Sequence, residues 1–238
     1  MGRLVKTVGA LAGLILVGVV GFGSWLYFYT SDLPTTTQLN DFNPASQTKA
    51  RLRSCDGVEQ EITVLPKDEL GQYAVAAVTA AEGRLQSRSP LVSAFFRAAE
   101  PHIATYQIQL ARTLVCTQNG PILKRQLQEL RLANAINRKF GQQELPTIYL
   151  NRICLGTDVY GIESGAERYF RKPASKLTLG ETAVLMGMIR APRVYSPQIH
   201  PDMAEQRRNL ILDKMVVQGS VSRSDADHAK AIPIQNSQ

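Results

Sequence analysis

Cysteine is scarce in this 238-residue chain, with only Cys55, Cys116 and Cys154 present. Three thiols close at most one disulfide within the chain, and their spacing matches no metal motif. A disulfide framework and a cysteine metal site are therefore both set aside, and buried free thiols are the reading that is left. Internal repeats and low-complexity tracts are also missing. The length suits one substantial folded domain with a short appended element, and hardly two full domains.

Charge is missing from one long stretch. Between Val8 and Tyr29 no Asp, Glu, Lys or Arg occurs, while Arg3 and Lys6 precede the stretch and Asp32 ends it. As a helix it would be roughly 33 Å long, enough to cross a bilayer. A cleaved signal peptide has a shorter apolar core of about 7 to 15 residues and a small-x-small cleavage site. This stretch runs instead into Trp25, Tyr27, Phe28 and Tyr29, an aromatic belt of the kind found at a membrane interface. An uncleaved transmembrane anchor is the expectation. Arg3 and Lys6 then stay in the cytoplasm, and everything after Asp32 lies across the membrane. Gly9 and Gly13 form a small-xxx-small pair, which reads as packing tolerance.

What the chain does carry is positive charge. The net charge is +7, of which Arg3 and Lys6 supply two. The excess favours an anionic partner, either membrane headgroups or a phosphate-bearing substrate, and export argues against nucleic acid.

The chain divides into a cytoplasmic stub and anchor at 1–30, a Thr-, Asn-, Ser- and Pro-rich linker at 31–49, a domain at 50–234 and a tail at 235–238. Short alternating segments from Ala50 to Leu65, around the turn dipeptide Asp56-Gly57, predict a small β-hairpin. Beyond Asp68 the periodicity is helical, over Tyr73 to Ala81, Ile103 to Val115, Leu123 to Phe140, Thr178 to Ile189 and Met203 to Val217. Gly83 and Gly141 are placed to cap two of these helices in the left-handed conformation. Thr178 and Glu181 have capping-box spacing.

Three polar features could carry chemistry. Thr105, Gln109 and Arg112 share one helical face and could grip a sugar or a phosphate, although such a triple is more often a solvated surface. Arg125 and Glu129, at i and i+4, read equally as a surface ion pair worth a few tenths of a kcal/mol. Glu82 closes the run Ala76-Ala77-Val78-Thr79-Ala80-Ala81, where small apolar neighbours could desolvate a general base. Spacing alone does not rank these readings.

A resemblance does. Tyr149-Leu150-Asn151, Gly156, Gly161-Ile162-Glu163, Tyr169-Phe170-Arg171-Lys172, Leu177 to Ala183 and Ala191 to Pro197 resemble the long central motif of the peptidoglycan glycosyltransferases. Arg207-Arg208-Asn209, with Leu212 and Met215, resembles the motif that follows it. The family comprises the glycosyltransferase domain of class A penicillin-binding proteins and the stand-alone monofunctional transglycosylases. The resemblance runs from about Ala50 to Ile234, and the chain stops where a bifunctional member would continue, so the monofunctional type is expected.

In this register Arg125, Glu129, Ala133 and Ile136 are similar to the family's R-K-x-x-E-x-x-x-A-x-x-L-E helix, with Gln126 and Asn137 as departures. Thr105, Gln109, Leu110 and Arg112 match its T-I-T-Q-Q-L helix, with His102-Ile103-Ala104 in place of Gly-Gly-Ser. Glu82 takes the place of the first, catalytic Glu; Gly83 replaces the following Asp, and Gln86 and Ser89 stand near where Phe and His belong.

The resemblance implies a mainly α, lysozyme-like lobe with a small membrane-facing jaw, for which Leu91, Val92, Phe95 and Phe96 are candidates, beside core packing. It implies polymerisation of lipid II into a growing glycan strand at the cytoplasmic membrane, alongside other cell-wall synthesis proteins. Glu82 and Glu129 would be catalytic, and Thr105, Gln109, Arg112, Arg125 and Arg207 would bind substrate. A divalent cation such as Mg2+ is implied by the resemblance alone. The altered first motif keeps a second reading open, a lipid II-binding or scaffolding protein without turnover. A lysozyme-like hydrolase ranks last.

Overall fold

The computed structural model describes residues 13, 16–25, 28, 29, 31, 36, 39, 40, 48–53, 59–83, 105–114, 122–141 and 143–234. Among these the protein is mainly helical, with two small antiparallel strand pairs. The expected hairpin is present as β1 (Lys49–Arg53) and β2 (Glu59–Thr63), in the register Lys49↔Thr63 to Arg53↔Glu59. Alternation sends Ala50, Leu52 and Ile62 into the core.

Helix α1 (Ala74–Glu82) is the element around which the domain closes. Its Ala-rich faces let neighbouring backbones come near, and Ala74, Ala77, Val78, Ala80 and Ala81 are all buried. Helices α2 (Thr105–Leu114) and α3 (Ile122–Lys139) pack on each other. The short α4 (Leu145–Leu150) touches both α1 and α2. Strands β3 (Cys154–Gly156) and β4 (Val159–Tyr160) lead into α5 (Ile162–Phe170). Helix α6 (Leu179–Met188) is buried on nearly every side, as a helix apolar all round must be, and packs against α1 and α7 (Pro201–Val217). Helix α8 (Arg223–Ala231) covers α6 and α7.

The capping box at the start of α6 forms as the spacing predicts: Glu181 N–H donates to Thr178 Oγ1 at 3.3 Å, and Thr178 N–H donates to Glu181 Oε2 at 2.8 Å. Gly83 has φ 63° but ψ −168°, a positive-φ turn and not a helical left-handed cap. Gly141 corrects its expectation, because it lies outside the positive-φ glycines and its N–H is bound by Glu144 Oε2 at 2.9 Å. Cys154 is a second correction. It is a free thiol but exposed, because β3 alternates and sends Leu155 inward in its place. Cys55 and Cys116 lie outside the described residues, as do Gly9, the jaw candidates Leu91, Val92, Phe95 and Phe96, and the Asp56-Gly57 turn.

Residues 16–25 are helical, with Leu16, Val17, Val19, Val20, Phe22 and Trp25 exposed. Among the described residues no helix is long and apolar enough to cross a membrane. Within the stretch expected as a linker, Leu39 is fully buried against the core.

One side chain ties the hairpin to the helical body. Asn151, directly after α4, accepts from Leu65 N–H at 2.8 Å and donates to Leu65 C=O at 2.9 Å and Thr147 C=O at 3.1 Å. Gly161 makes this packing possible: it has φ 82°, and a Cβ there would meet the Asn151 carbonyl oxygen at 2.9 Å. Asn151→Ala leaves two buried backbone groups of Leu65 unsatisfied and is expected to cost about 2 to 5 kcal/mol. Urea unfolding checks this, and an unchanged midpoint would contradict the tie.

Candidate active site

Two buried carboxylates organise the interior, and each is matched by guanidinium groups, since a buried charge without a partner is prohibitively unfavourable. The first is Glu82, the last residue of α1, whose side chain is 1% exposed. The negative charge sits at the C-terminal end of its helix, where the helix dipole disfavours it. Arg190, just past α6, answers both problems: its Nη2 reaches Glu82 Oε2 at 3.2 Å and the Glu82 carbonyl oxygen at 3.4 Å. On the other side the Tyr149 hydroxyl of α4 donates to Glu82 Oε1 at 2.7 Å.

Glu129 is the second. It lies on α3 with its side chain 8% exposed, between Arg112 Nε at 2.8 Å and Arg125 Nε at 3.7 Å. Arg125 and Glu129 are thus more than a surface pair, because the carboxylate is buried and a second helix supplies its shorter contact. Both arginines are themselves half-exposed. Two cations therefore face outward from one buried anion, an arrangement that can hold a negatively charged ligand.

Tyr149 is bonded to the first group and feels the charge of the second through Arg112. Burial, followed by the charge and hydrogen bond of Glu82, pushes its phenol well above the usual range, while the guanidiniums of Arg190 and Arg112 act against this. The phenol therefore remains a protonated donor. Lys214 of α7 adjoins the same region: burial lowers its ammonium first, then the charges of Arg207 and Arg190, with Glu82 opposing. Arg207 also lies 5.3 Å over the Tyr195 ring and donates from Nε to the Gly187 carbonyl at 3.3 Å.

The expected site residues thus fall into place unevenly. Arg112, Arg125 and Glu129 come together in direct contact, while Arg207 contacts Gly187 and Tyr195 and only its charge is felt by Lys214. Gln109 is half-buried on α2, while the Thr105 side chain lies outside the described residues. Arg208, the neighbour of Arg207 in the same motif, serves the fold: its guanidinium is buried and donates to the carbonyls of Ile232 at 2.7 Å and Lys230 at 2.9 Å.

Tyr149, Arg190 and Lys214 were not among the expected site residues. The signals available were the place of Tyr149 at the head of the central motif, with no role attached to it, and a single cation, Arg190, closing the apolar run of α6. Among the described residues no three His, Cys, Asp or Glu side chains could hold a metal ion, and both oxygens of Glu129 face guanidiniums. No step below runs through a metal.

Comparison with known proteins bears on the family. Penicillin-binding protein 1A of Aquifex aeolicus is 30% identical over 247 residues, covering 96% of this chain and 34% of that protein. Penicillin-binding protein 1A/1B of Bacillus subtilis is 30% identical over 252 residues, covering 99% of this chain and 27% of that protein. The chain thus spans about a third or less of these relatives' length. The crystal structure of penicillin-binding protein 1A from Haemophilus influenzae aligns with a TM-score of 0.45 at 22% identity, covering 80% of this chain and 21% of that one. The transglycosylase family model matches residues 91–216, a range that takes in Glu129 and both of its arginines and begins after Glu82. With that match extending over more than half of its 238 residues, the chain belongs to the transglycosylase family of glycosyltransferases.

Proposed function

We propose that this chain polymerises lipid II into glycan strands with release of undecaprenyl pyrophosphate. The observation that carries the reading is a buried carboxylate, Glu82, bonded to Tyr149, whose phenol also feels the charge of Arg112, one of two half-exposed guanidiniums held by a second buried carboxylate, Glu129. One group suits a proton acceptor, and the other suits a leaving group that departs with negative charge.

In the reaction the 4-hydroxyl oxygen of the acceptor lipid II attacks the anomeric carbon of the growing strand from the face opposite the pyrophosphate. The new C–O bond forms as the bond to pyrophosphate breaks, and the configuration inverts. Glu82 takes the hydroxyl proton as general base. Arg112 and Arg125 stabilise the departing pyrophosphate through charge-assisted hydrogen bonds, and Glu129 holds the two guanidiniums in place. Thr105 and Gln109 position the donor, and Arg207 contributes charge on the Glu82 side.

The finer fold reading, a lysozyme-like lobe with a membrane-facing jaw, belongs to the same proposal. So does a single-pass anchor with its N-terminus in the cytoplasm, supported by the uncharged run from Val8 to Tyr29. Removing residues 1–29 is expected to release the protein from membranes with its helical circular dichroism intact. Retention on membranes, or loss of that signal, would contradict the division into anchor and domain.

Arg125→Ala is expected to weaken binding of lipid II or a pyrophosphate analogue by about 1.5 to 3 kcal/mol. Titration calorimetry on the folded variant checks this, and equal affinity would leave Arg125 a structural ion pair. Glu82→Gln keeps shape and removes the proton acceptor, so polymerisation should fall by about 10² to 10⁴ while lipid II binding persists. A specific observation favours the rival reading of a lipid II-binding or scaffolding protein: Gly83 has no side chain where the resemblance expects Asp. Binding by wild type and Glu82→Gln alike, with polymer from neither, would establish that rival.

A further inference from the structure

The resemblance gives Glu82 an acidic neighbour in sequence, and this chain has none. Gly83 leaves the helix at once with φ 63°, and no side chain at that position fixes the carboxylate. Whatever holds Glu82 must come from other elements, and its two oxygens are held in different ways.

Oε1 accepts from the Tyr149 hydroxyl at 2.7 Å, a contact between two buried side chains. The ring rides on α4, which is buried along its whole length and is tied to Leu65 at its end by Asn151. Neither partner has room to move. Oε2 instead meets Arg190 at the longer distance of 3.2 Å, and that side chain is 50% exposed. An exposed guanidinium is screened by water and can be displaced at little cost.

We propose that Tyr149 is the positioning residue of Glu82: its phenol anchors Oε1 permanently, and Oε2, which meets the exchangeable Arg190, is the oxygen that receives the acceptor proton. The inference rests on the reading of Glu82 as general base. A base is effective only when its orientation is set before the substrate arrives. Tyr149 supplies that orientation without competing for the proton, because burial and the adjoining carboxylate keep its phenol protonated. The charged groups facing Glu82 are Arg190 after α6 and Lys214 of α7, with Arg207 beside Lys214 and Arg112 of α2 beyond the phenol. All of these remain when the phenol hydroxyl alone is removed.

The test is a double-mutant cycle in the full chain, with kcat and KM for lipid II measured for each variant. Tyr149→Phe should lower kcat about 10- to 100-fold with KM unchanged, as expected for a misdirected reacting group. In the Glu82→Gln background the same change should have no further effect. Site-specific Tyr149→4-aminophenylalanine, which preserves the ring and donates more weakly, should lower kcat by less than Tyr149→Phe with KM unchanged, and it serves as the test if Tyr149→Phe does not fold. Equal losses in both backgrounds, or a kcat that stays at the wild-type value in the variants, would overturn the proposal. A Glu82→Gln rate equal to wild type would instead overturn the base reading on which it rests.

Discussion

Placing a carboxylate at the C-terminal end of a buried, alanine-rich helix is the constraint on which the structure turns. Glu82 faces unfavourable desolvation and an unfavourable helix dipole together. The fold offsets both by bringing Arg190 and Tyr149 to it from positions 108 and 67 residues away. Those contacts demand that α4 and α6 lie directly against α1. The small side chains of α1 allow that approach, and the tie between Asn151 and Leu65 holds α4 in register with the hairpin.

The second carboxylate follows a different logic. Glu129 is buried, but both of its arginines are half-exposed, so the anion is committed to the protein while the cations keep free faces toward solvent. Screening makes such pairs weak contributors to stability. In the proposed reaction their value lies in prearranged positive charge, which a pyrophosphate would use without reorganisation. In the proposed reaction the two carboxylates have separate tasks, one handling a proton and the other arranging cations.

Much of this was legible in the sequence where the signal is local. The hairpin, the five helices expected from periodicity and the capping box of Thr178 and Glu181 all rest on neighbours within a few residues, and all are present. Arg112, Arg125 and Glu129 were found because helical spacing put them on defined faces and the resemblance joined those faces. The partners of Glu82 were not legible, because no periodicity relates residues so far apart in sequence. Helix α4 escaped notice because six residues carry too little periodicity to separate it from a loop. Cys154 was misread because its residue type favours burial while the alternation of a three-residue strand turned it outward.

The central claim is that this arrangement of charges turns over a lipid-linked sugar and does more than bind it. The purified full chain, incubated in detergent with labelled lipid II at neutral pH, tests this directly when the products are resolved by size. The account predicts glycan strands of increasing length together with free undecaprenyl pyrophosphate. Lipid II recovered bound and unreacted, at a protein concentration where binding is saturated, would contradict it.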